Sequence, residues 1–370
     1  MKLLFLVDNL STGGAQRQMV NLGVGLRQLG HQIDFFCYAP GDLLAGPLRA
    51  ADIPVRIVQK KSRFSPDVIF ALRGQMRARG YDLMLSYLTT PNVYAILATR
   101  FLPRRPRIVI SERLNDLPGK GTLIQEMSRR LYRLADHIVV NSHHQREDFV
   151  RRYRWVSGRI STIYNGVDVR LFRPPKHEPP DEPFRLLSIA SIAPHKNGLC
   201  LLSALAVLNA EYGLCPHVSW AGQHVTDNPV RATYIRKMDD AIAAQALGER
   251  WKWLYQQKDV IPLFHGHHAL IHPSYLEGLP NVVCEALACG RPVIVSNVLD
   301  HPRLVQHGIS GYLFEPQDAH DLARCIKRLR DMSADERHEM GQQGRRFAEQ
   351  YLSLERLCHD YERLFEQLLA

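Results

Sequence analysis

HPSYLEGLPNVVCEALACGRPVIVSN, residues 272–297, places two glutamates, Glu277 and Glu285, inside an alternation of strand and helix. The apolar run Ala269-Leu270-Ile271 leads into Pro273 and Ser274, and the turn-forming stretch Glu277-Gly278-Leu279-Pro280-Asn281 follows. A short helical pattern from Val282 to Cys289 closes at Gly290, and Pro292 to Val295 reads as a second buried strand. In an open α/β sheet, ligands bind outside the carboxyl ends of the strands. Both carboxylates fall at that end, beside a helix start whose N–H groups favour an anion.

The same alternation runs outward in both directions. Strand-like runs fall at 3–7, 33–38, 55–58, 83–87, 108–110, 138–140 and 160–163, with helical patterns between them, such as 15–29, 67–79 and 121–135. This is the signature of a parallel sheet wound with helices on both faces. The stretch PPKHEPPDEP, residues 174–183, is charged, lacks periodicity and reads as an interdomain linker. Strands then resume at 185–190, 217–221, 252–255, 269–271, 292–295 and 312–314. Helices are expected at 198–209, 230–246, 282–289, 317–332 and 334–369, the last opened by a capping box of Ser333 and Glu336. A chain of 370 residues accommodates this as two α/β domains, 1–172 and 184–349, joined at 173–183. Two such domains imply a cleft between them.

Hydrophobic content of 45% and charged content of 23% are those of a globular chain with a sizeable core. The seven cysteines form no CxxC pair and read as buried free thiols of a reducing cytosol. The apolar run at Leu3 to Val7 is too short for a leader peptide and ends at Asp8, so a first buried strand is expected. No run of about eighteen apolar residues occurs, and no transmembrane helix is expected.

The net charge of +10 is uneven: residues 1–170 hold 26 Lys+Arg against 13 Asp+Glu, and the remainder hold 21 against 24. Arginines cluster at 100–107, 129–133 and 151–154, interleaved with Phe101, Leu131, Tyr132, Tyr153 and Trp155. An anionic membrane surface, a nucleic acid, or a solvated face with no partner would each account for them. No nucleic-acid recognition motif accompanies the charge, so no nucleic acid is expected.

Gly13 and Gly14 follow the first strand and precede a helix, where glycine lets backbone N–H groups approach a phosphate. Their spacing is not GxGxxG, so no dinucleotide fingerprint is present. Lys196, after the second half's first strand, can neutralise a phosphate as a point charge. Glu277 and Glu285 resemble a glycosidase acid–base pair, but one lies in a loop and the other on a helix, so separate ligand groups suit them better. Glu285 also has a plain structural reading, a carboxylate near a helix start. His265, His267, His268 and His272 crowd one segment without the spacing of a helical zinc pair.

GGAQ (13–16), VISERLND (109–116), ADHIVVNS (135–142), IYNGVD (163–168), SIAPHKNG (191–198), WAGQ (220–223) and the 272–296 stretch, with its E-x7-E spacing, occur in one order. In this the chain resembles family four of the retaining nucleotide-sugar glycosyltransferases, which have the GT-B fold of two facing Rossmann-like domains. The resemblance implies that Gly13 and Gly14 lie near the donor phosphates and sugar, and that Lys196 contacts the diphosphate. It implies further that Glu277 contacts the transferred hexose, that the backbone of Gly278, Leu279 and Asn281 serves sugar and phosphate, and that Glu285 accepts the ribose hydroxyls. Ser191 stands near a position where the family often has arginine, and Gln16 replaces a glutamate. No N-terminal-domain histidine matches a catalytic one; Glu112 and Arg113 occupy that region. The resemblance also implies that a C-terminal helix, about 350–370, returns to the first domain, and that no metal or other cofactor is needed.

The expectation is therefore a metal-independent, retaining transferase. It would move a hexose from a nucleotide-diphosphate sugar, UDP-linked by resemblance, to a saccharide acceptor carried on a lipid diphosphate. It would work in the cytoplasm, on the inner face of the membrane, in surface polysaccharide or oligosaccharide synthesis. A nucleotide-sugar epimerase or sugar phosphorylase of the same fold, and a non-enzymatic binder of membrane or nucleic acid, remain open alternatives.

Overall fold

Leu3, Phe5 and Val7 face one side of the first sheet and Leu4 and Leu6 the other, and all five are fully buried. Strands apolar on both faces belong in parallel sheets covered by helices on both sides. The computed structural model describes residues 1–370 except 12, 63–64 and 114–122, and the side chains of 123 and 124. The end of the VISERLND motif and the start of the helical pattern at 121–135 thus lie outside the described residues. The chain divides into two compact units, Met1–Gly166 with Leu354–Ala370, and Val167–Ser353.

In the first unit the strands are β1 Lys2–Val7, β2 Gln32–Cys37, β3 Val55–Ile57, β4 Leu83–Tyr87, β5 Arg107–Glu112, β6 His137–Val140 and β7 Ile160–Thr162. Their order is β3-β2-β1-β4-β5-β6-β7, and each pairing is parallel. Winding reverses between β1 and β4, the point where such sheets open a crevice. One face is covered by helices Gly14–Gln28 and Leu354–Leu369, which supply Met19, Leu22, Leu26, Leu357, Tyr361 and Phe365 to one core. The two helices approach closely: a Cβ on Gly25 would lie 2.2 Å from Cys358 Sγ. Burying each large apolar side chain contributes about 2 kcal/mol, well beyond the intrinsic stability of a helix this short. On the other face, helices Pro66–Arg79, Thr89–Thr99 and His143–Arg152 supply Leu72, Met76, Tyr94 and Phe149.

In the second unit β8 Arg185–Ile189, β9 His217–Ala221, β10 Trp251–Tyr255, β11 Ala269–His272, β12 Val293–Ser296 and β13 Gly311–Phe314 pair in parallel in the order β10-β9-β8-β11-β12-β13. The winding repeats that of β1 to β6, with its reversal between β8 and β11. Leu186, Ile271 and Ile294 of the sheet pack with Leu201 and Leu205 of helix Gly198–Tyr212 and with Leu322 and Ile326 of helix Ala319–Asp331.

Two expectations are corrected. The single helix read over 334–369 is two, Ala334–Tyr351 and Leu354–Leu369. Between them, the Leu352 carbonyl accepts a hydrogen bond from Val167 N at 2.7 Å, and Ser353 bridges Val167 in parallel. That external pairing replaces the helical ladder there. The proline-rich stretch read as a linker is fastened to the second unit rather than spanning freely. Glu178 pairs with Arg291 at 2.6 Å, Asp181 pairs with Arg337, and the Pro180 carbonyl accepts from His268 Nε2 at 3.0 Å. The capping box of Ser333 and Glu336 forms.

Candidate functional site

β8 and β11 flank the reversal point of the second sheet, and the loops leaving their carboxyl ends carry Lys196 and Glu277. After β8 the backbone is held by its neighbour: Ala190 N donates to Ala221 O at 2.9 Å and Ile192 N to Gln223 O at 3.1 Å. Gly222 makes this approach feasible, since at φ 153° a Cβ there would lie 2.0 Å from Ala190 O. A short turn, Pro194–Lys196, then leads through Asn197, in the left-handed region at φ 58°, into helix Gly198–Tyr212. The loop after β11 is bound to this turn. Tyr275 N donates to His195 O at 3.1 Å, and Ser274 Oγ donates to the same carbonyl at 3.1 Å.

Lys196 Nζ and His272 Nε2 both donate to Glu277 Oε1, the histidine at 3.0 Å. The Lys196 and Glu277 side chains are only 15% and 16% exposed, so their charges are weakly screened. Burial pushes the Glu277 carboxyl up, but the His272 hydrogen bond and the Lys196 charge outweigh it and hold the group well below the usual carboxylate range. Burial pushes His272 down, so the ring is neutral and donates through Nε2. His195, on the same turn, is also pushed down by burial and by Lys196.

Helix Asn281–Ala288 begins directly after this loop, with Pro280 as its cap and no side-chain cap bond. Its first turn directs backbone N–H groups toward the loop, a favourable setting for negative charge. Leu279 is buried and offers only backbone, and Asn281 is partly exposed. Glu285 is 7% exposed and follows Asn281 by one helical turn, on the same face. Glu277 is engaged with Lys196 and His272 off the helix, so the two glutamates occupy different settings. Ser191 lies in the β8 loop beside Gly222.

Gly13 and Gly14 lie at the corresponding reversal point of the first unit, after β1. Gly13 caps helix Gly14–Gln28 in extended conformation, and the Gln16 side chain lies over it while donating to Asp8 Oδ1 at 2.9 Å. Gly14 is exposed. At the end of β5, Glu112 is fully buried and accepts from Tyr132 OH at 2.9 Å. Arg113 is nearly buried. It donates to Asn165 Oδ1, to Ser111 Oγ at 2.8 Å and to Tyr361 OH at 2.9 Å, and stacks over Tyr87 at 4.0 Å. This segment locks the first unit's core.

The crowded histidines are separately employed. His265 Nε2 and His267 Nδ1 donate to the Arg173 and Leu263 carbonyls, His268 to Pro180, and His272 to Glu277. Among the described residues no group of three His, Cys, Asp or Glu is placed to hold a metal ion. His301 is a residue that sequence reasoning did not single out. It is fully buried, stacks edge-on against His272 with centroids 5.7 Å apart, and donates from Nδ1 to Ser296 O at 2.8 Å. Nothing in the spacing of the sequence couples residue 301 to residue 272.

The arginine clusters meet on one edge of the first sheet. The connections before β5, β6 and β7 lie side by side at the amino ends of those strands, where Arg105 and Arg107 pair with Asp136. Arg104, Arg133, Arg151, Arg154 and Arg159 are exposed along it, and Phe101 is 84% exposed. The glycine loop after β1 is at the opposite edge of the same sheet.

Residues 12–171 match the family model Glycosyltransferase Family 4, and residues 170–347 match Glycosyl transferases group 1. Among curated relatives, the D-inositol 3-phosphate glycosyltransferase of Thermobifida fusca (strain YX) is 23% identical over 54% of this chain and 48% of its own length. D-inositol 3-phosphate glycosyltransferase 2 of Catenulispora acidiphila is 29% identical over 53% and 48%. The chain spans about half the length of these relatives. Among solved structures, Anabaena HepE in complex with UDP superposes with a TM-score of 0.83 at 20% identity, covering 99% of this chain and 100% of that one. A glycosyltransferase from Rickettsia africae ESF-5 gives 0.84 at 17%, covering 100% and 98%. At these identities the likeness speaks for the GT-B fold. The two family models together reach from residue 12 to residue 347, so the chain carries a Glycosyltransferase Family 4 domain followed by a Glycosyl transferases group 1 domain.

Proposed function

We propose that this protein transfers a hexose from a UDP-linked sugar to a saccharide acceptor, with retention of anomeric configuration and without a metal. The observation that carries the reading is the convergence of Lys196 and Glu277 at the β8/β11 reversal point, directly before a helix start. A departing nucleoside diphosphate develops negative charge, and a preorganised ammonium with aligned N–H groups stabilises it most where water is excluded. Lys196 takes the diphosphate, with the backbone of Gly278, Leu279 and Asn281 and the loop at Ser191 beside it. Glu277 accepts hydroxyls of the transferred sugar, and Glu285 those of the ribose. Gly13 and Gly14 are assigned to donor binding by the family resemblance. Attack proceeds on the face the leaving group vacates, with the departing phosphate taking the acceptor's proton, so no carboxylate nucleophile is required.

A lipid-diphosphate carrier for the acceptor, in surface polysaccharide or oligosaccharide synthesis, is the finer part of the reading. The basic edge of the first sheet supports attachment to an anionic membrane surface at the cytoplasmic side. Because the glycine loop lies at the other edge of that sheet, attachment there leaves the loop facing away from the lipid. The acceptor sugar must then extend from its carrier to be reached.

The test is to incubate the protein with UDP-hexoses and acceptor saccharides, following UDP release and the new linkage by NMR. Retained configuration in a glycosidic product supports the reading. A free epimer or a sugar phosphate identifies instead an epimerase or phosphorylase of this fold. Binding of neither UDP nor GDP at millimolar concentration removes the enzyme reading altogether.

A further inference from the structure

We propose that His272, backed by His301, is the positioning residue that keeps Glu277 in place when Lys196 turns to the donor's diphosphate. This rests on the donor-site reading above. The loop that carries Glu277 is tied down at Ser274 and Tyr275, but Glu277 is outside the strand ladder, so where its carboxylate points depends in part on the donors that it meets. In the structure two donors meet its Oε1, and they differ in kind. Lys196 stands on a flexible four-carbon stem, and its charge is the one the diphosphate attracts. Once two phosphate charges compete for that ammonium, its hold on the carboxylate weakens.

His272 cannot follow the phosphates. It is the last residue of β11, in register with Val295 of β12, and is 2% exposed. Its ring is met edge-on by His301, and His301 is fixed in turn by its Nδ1–H bond to the Ser296 carbonyl. Ser296 Oγ donates to the Ser274 carbonyl, closing the set onto the loop that carries Glu277. An ordinary core histidine has both ring nitrogens satisfied. Here, among the described residues, His272 Nδ1 and His301 Nε2 are buried with no hydrogen-bond partner. An apolar side chain would fill the same space without stranding a lone pair. What the imidazole adds is one rigid N–H aimed at Glu277. His301 contributes a neutral wall that fixes the ring's plane.

The test compares His272→Phe, which keeps a ring and removes the N–H, with His272→Gln, which restores a donor. Three quantities are read: the titration of the Glu277 carboxyl by carbon-13 NMR, the Kd of UDP by calorimetry, and kcat and KM for UDP release from UDP-glucose. Losing a donor to the carboxylate raises its pKa, so in His272→Phe the Glu277 carboxyl should titrate about one pH unit higher than in the wild type. Turnover should fall about tenfold, the worth of one such hydrogen bond, with the Kd of UDP within about twofold. His272→Gln should recover most of both changes. An unchanged Glu277 titration in His272→Phe overturns the proposal. So does a parallel loss of turnover, UDP affinity and Tm that glutamine does not reverse, since that describes a fold defect. If the wild type releases no UDP from UDP-glucose while the Glu277 titration still shifts, the positioning stands and the donor reading is what fails.

Discussion

Arg113 and Tyr361 are hydrogen-bonded across 248 positions of sequence, Nη2 to hydroxyl at 2.9 Å, with the same guanidinium 4.0 Å from the centre of the Tyr87 ring. One side chain thereby ties the end of β5 to the last helix, to β4 and, through Asn165, to the segment after β7. Arg113→Met removes the hydrogen bonds to Asn165, Ser111 and Tyr361 and the guanidinium's contact with the Tyr87 ring. We expect a loss of about 3 kcal/mol in urea unfolding, and Arg113→Lys should not restore it, because an ammonium cannot fork to three acceptors while stacking on a ring.

Lys196→Ala and Glu277→Ala should each lower glycosyl transfer by about a hundredfold or more while the far-UV circular dichroism stays that of the wild type. Their binding signatures should differ. Lys196→Ala weakens UDP, and Glu277→Ala weakens the sugar-bearing donor with little effect on UDP. Full activity in either variant removes that residue from the site.

Gly222→Ala places a methyl group against the Ala190 carbonyl in a backbone conformation that L side chains rarely adopt. The 190–192 strand of backbone has to move, at a cost of about 2 kcal/mol or more. Because that loop leads to Lys196, the expected outcome is a lower Tm together with weaker UDP binding. A Tm within a degree of the wild type contradicts it.

Acid should weaken the fold well above the range where carboxylates protonate. Burial pushes His137, His268 and His301 down to about 4, helped at His268 by Arg337 and at His301 by His272. The unfolded chain takes up a proton on each near 6.5, whereas the folded chain does not until about 4. Through that window the unfolded state holds more protons, so stability falls as pH drops. Glu277 acts in the same direction lower down: its depressed carboxyl stabilises the fold above the unfolded value, and that contribution is lost as pH falls below about 4.3. Urea midpoints at pH 7 and pH 5 should differ, and His301→Leu should flatten part of the slope.

Vesicles containing anionic lipid should retain the protein at about 50 mM salt and release it at about 300 mM, as the screening length shortens. The triple variant Arg104→Glu, Arg133→Glu and Arg154→Glu should not sediment with them at either salt. Retention indifferent to salt and to lipid charge rules out attachment through this edge.

Both sheets were legible in the sequence because parallel strands buried on both faces are continuous apolar runs; even the short KWLY run at 252–255 forms an edge strand, β10. The loop–helix placement of Glu277 and Glu285 followed from the same pattern. What escaped was decided by partners distant in sequence. The break at Leu352-Ser353 answers Val167, and periodicity within 334–369 carries no trace of it. The 174–183 stretch has the composition of a linker, yet Arg291 and Arg337 fasten it down. His272 read as one member of a histidine cluster; its partner His301 lies beyond a helix and a strand, where no local spacing points to it.

Leu357, Tyr361 and Phe365 complete the same apolar face as Leu3, Phe5 and Val7, although all of Val167–Ser353 lies between them in the chain. During synthesis, the first unit therefore leaves the ribosome with one face of its sheet covered by helix Gly14–Gln28 but not by the last helix, and that part stays uncovered until the second unit has been made. For that interval the apolar surface that Leu357, Tyr361 and Phe365 cover in the finished protein is open to water. The helix that ends the wait acts as a latch. A chain shortened before Leu354 should keep that surface exposed and bind a hydrophobic dye, and a synthetic peptide of residues 354–370 supplied in trans should displace the dye.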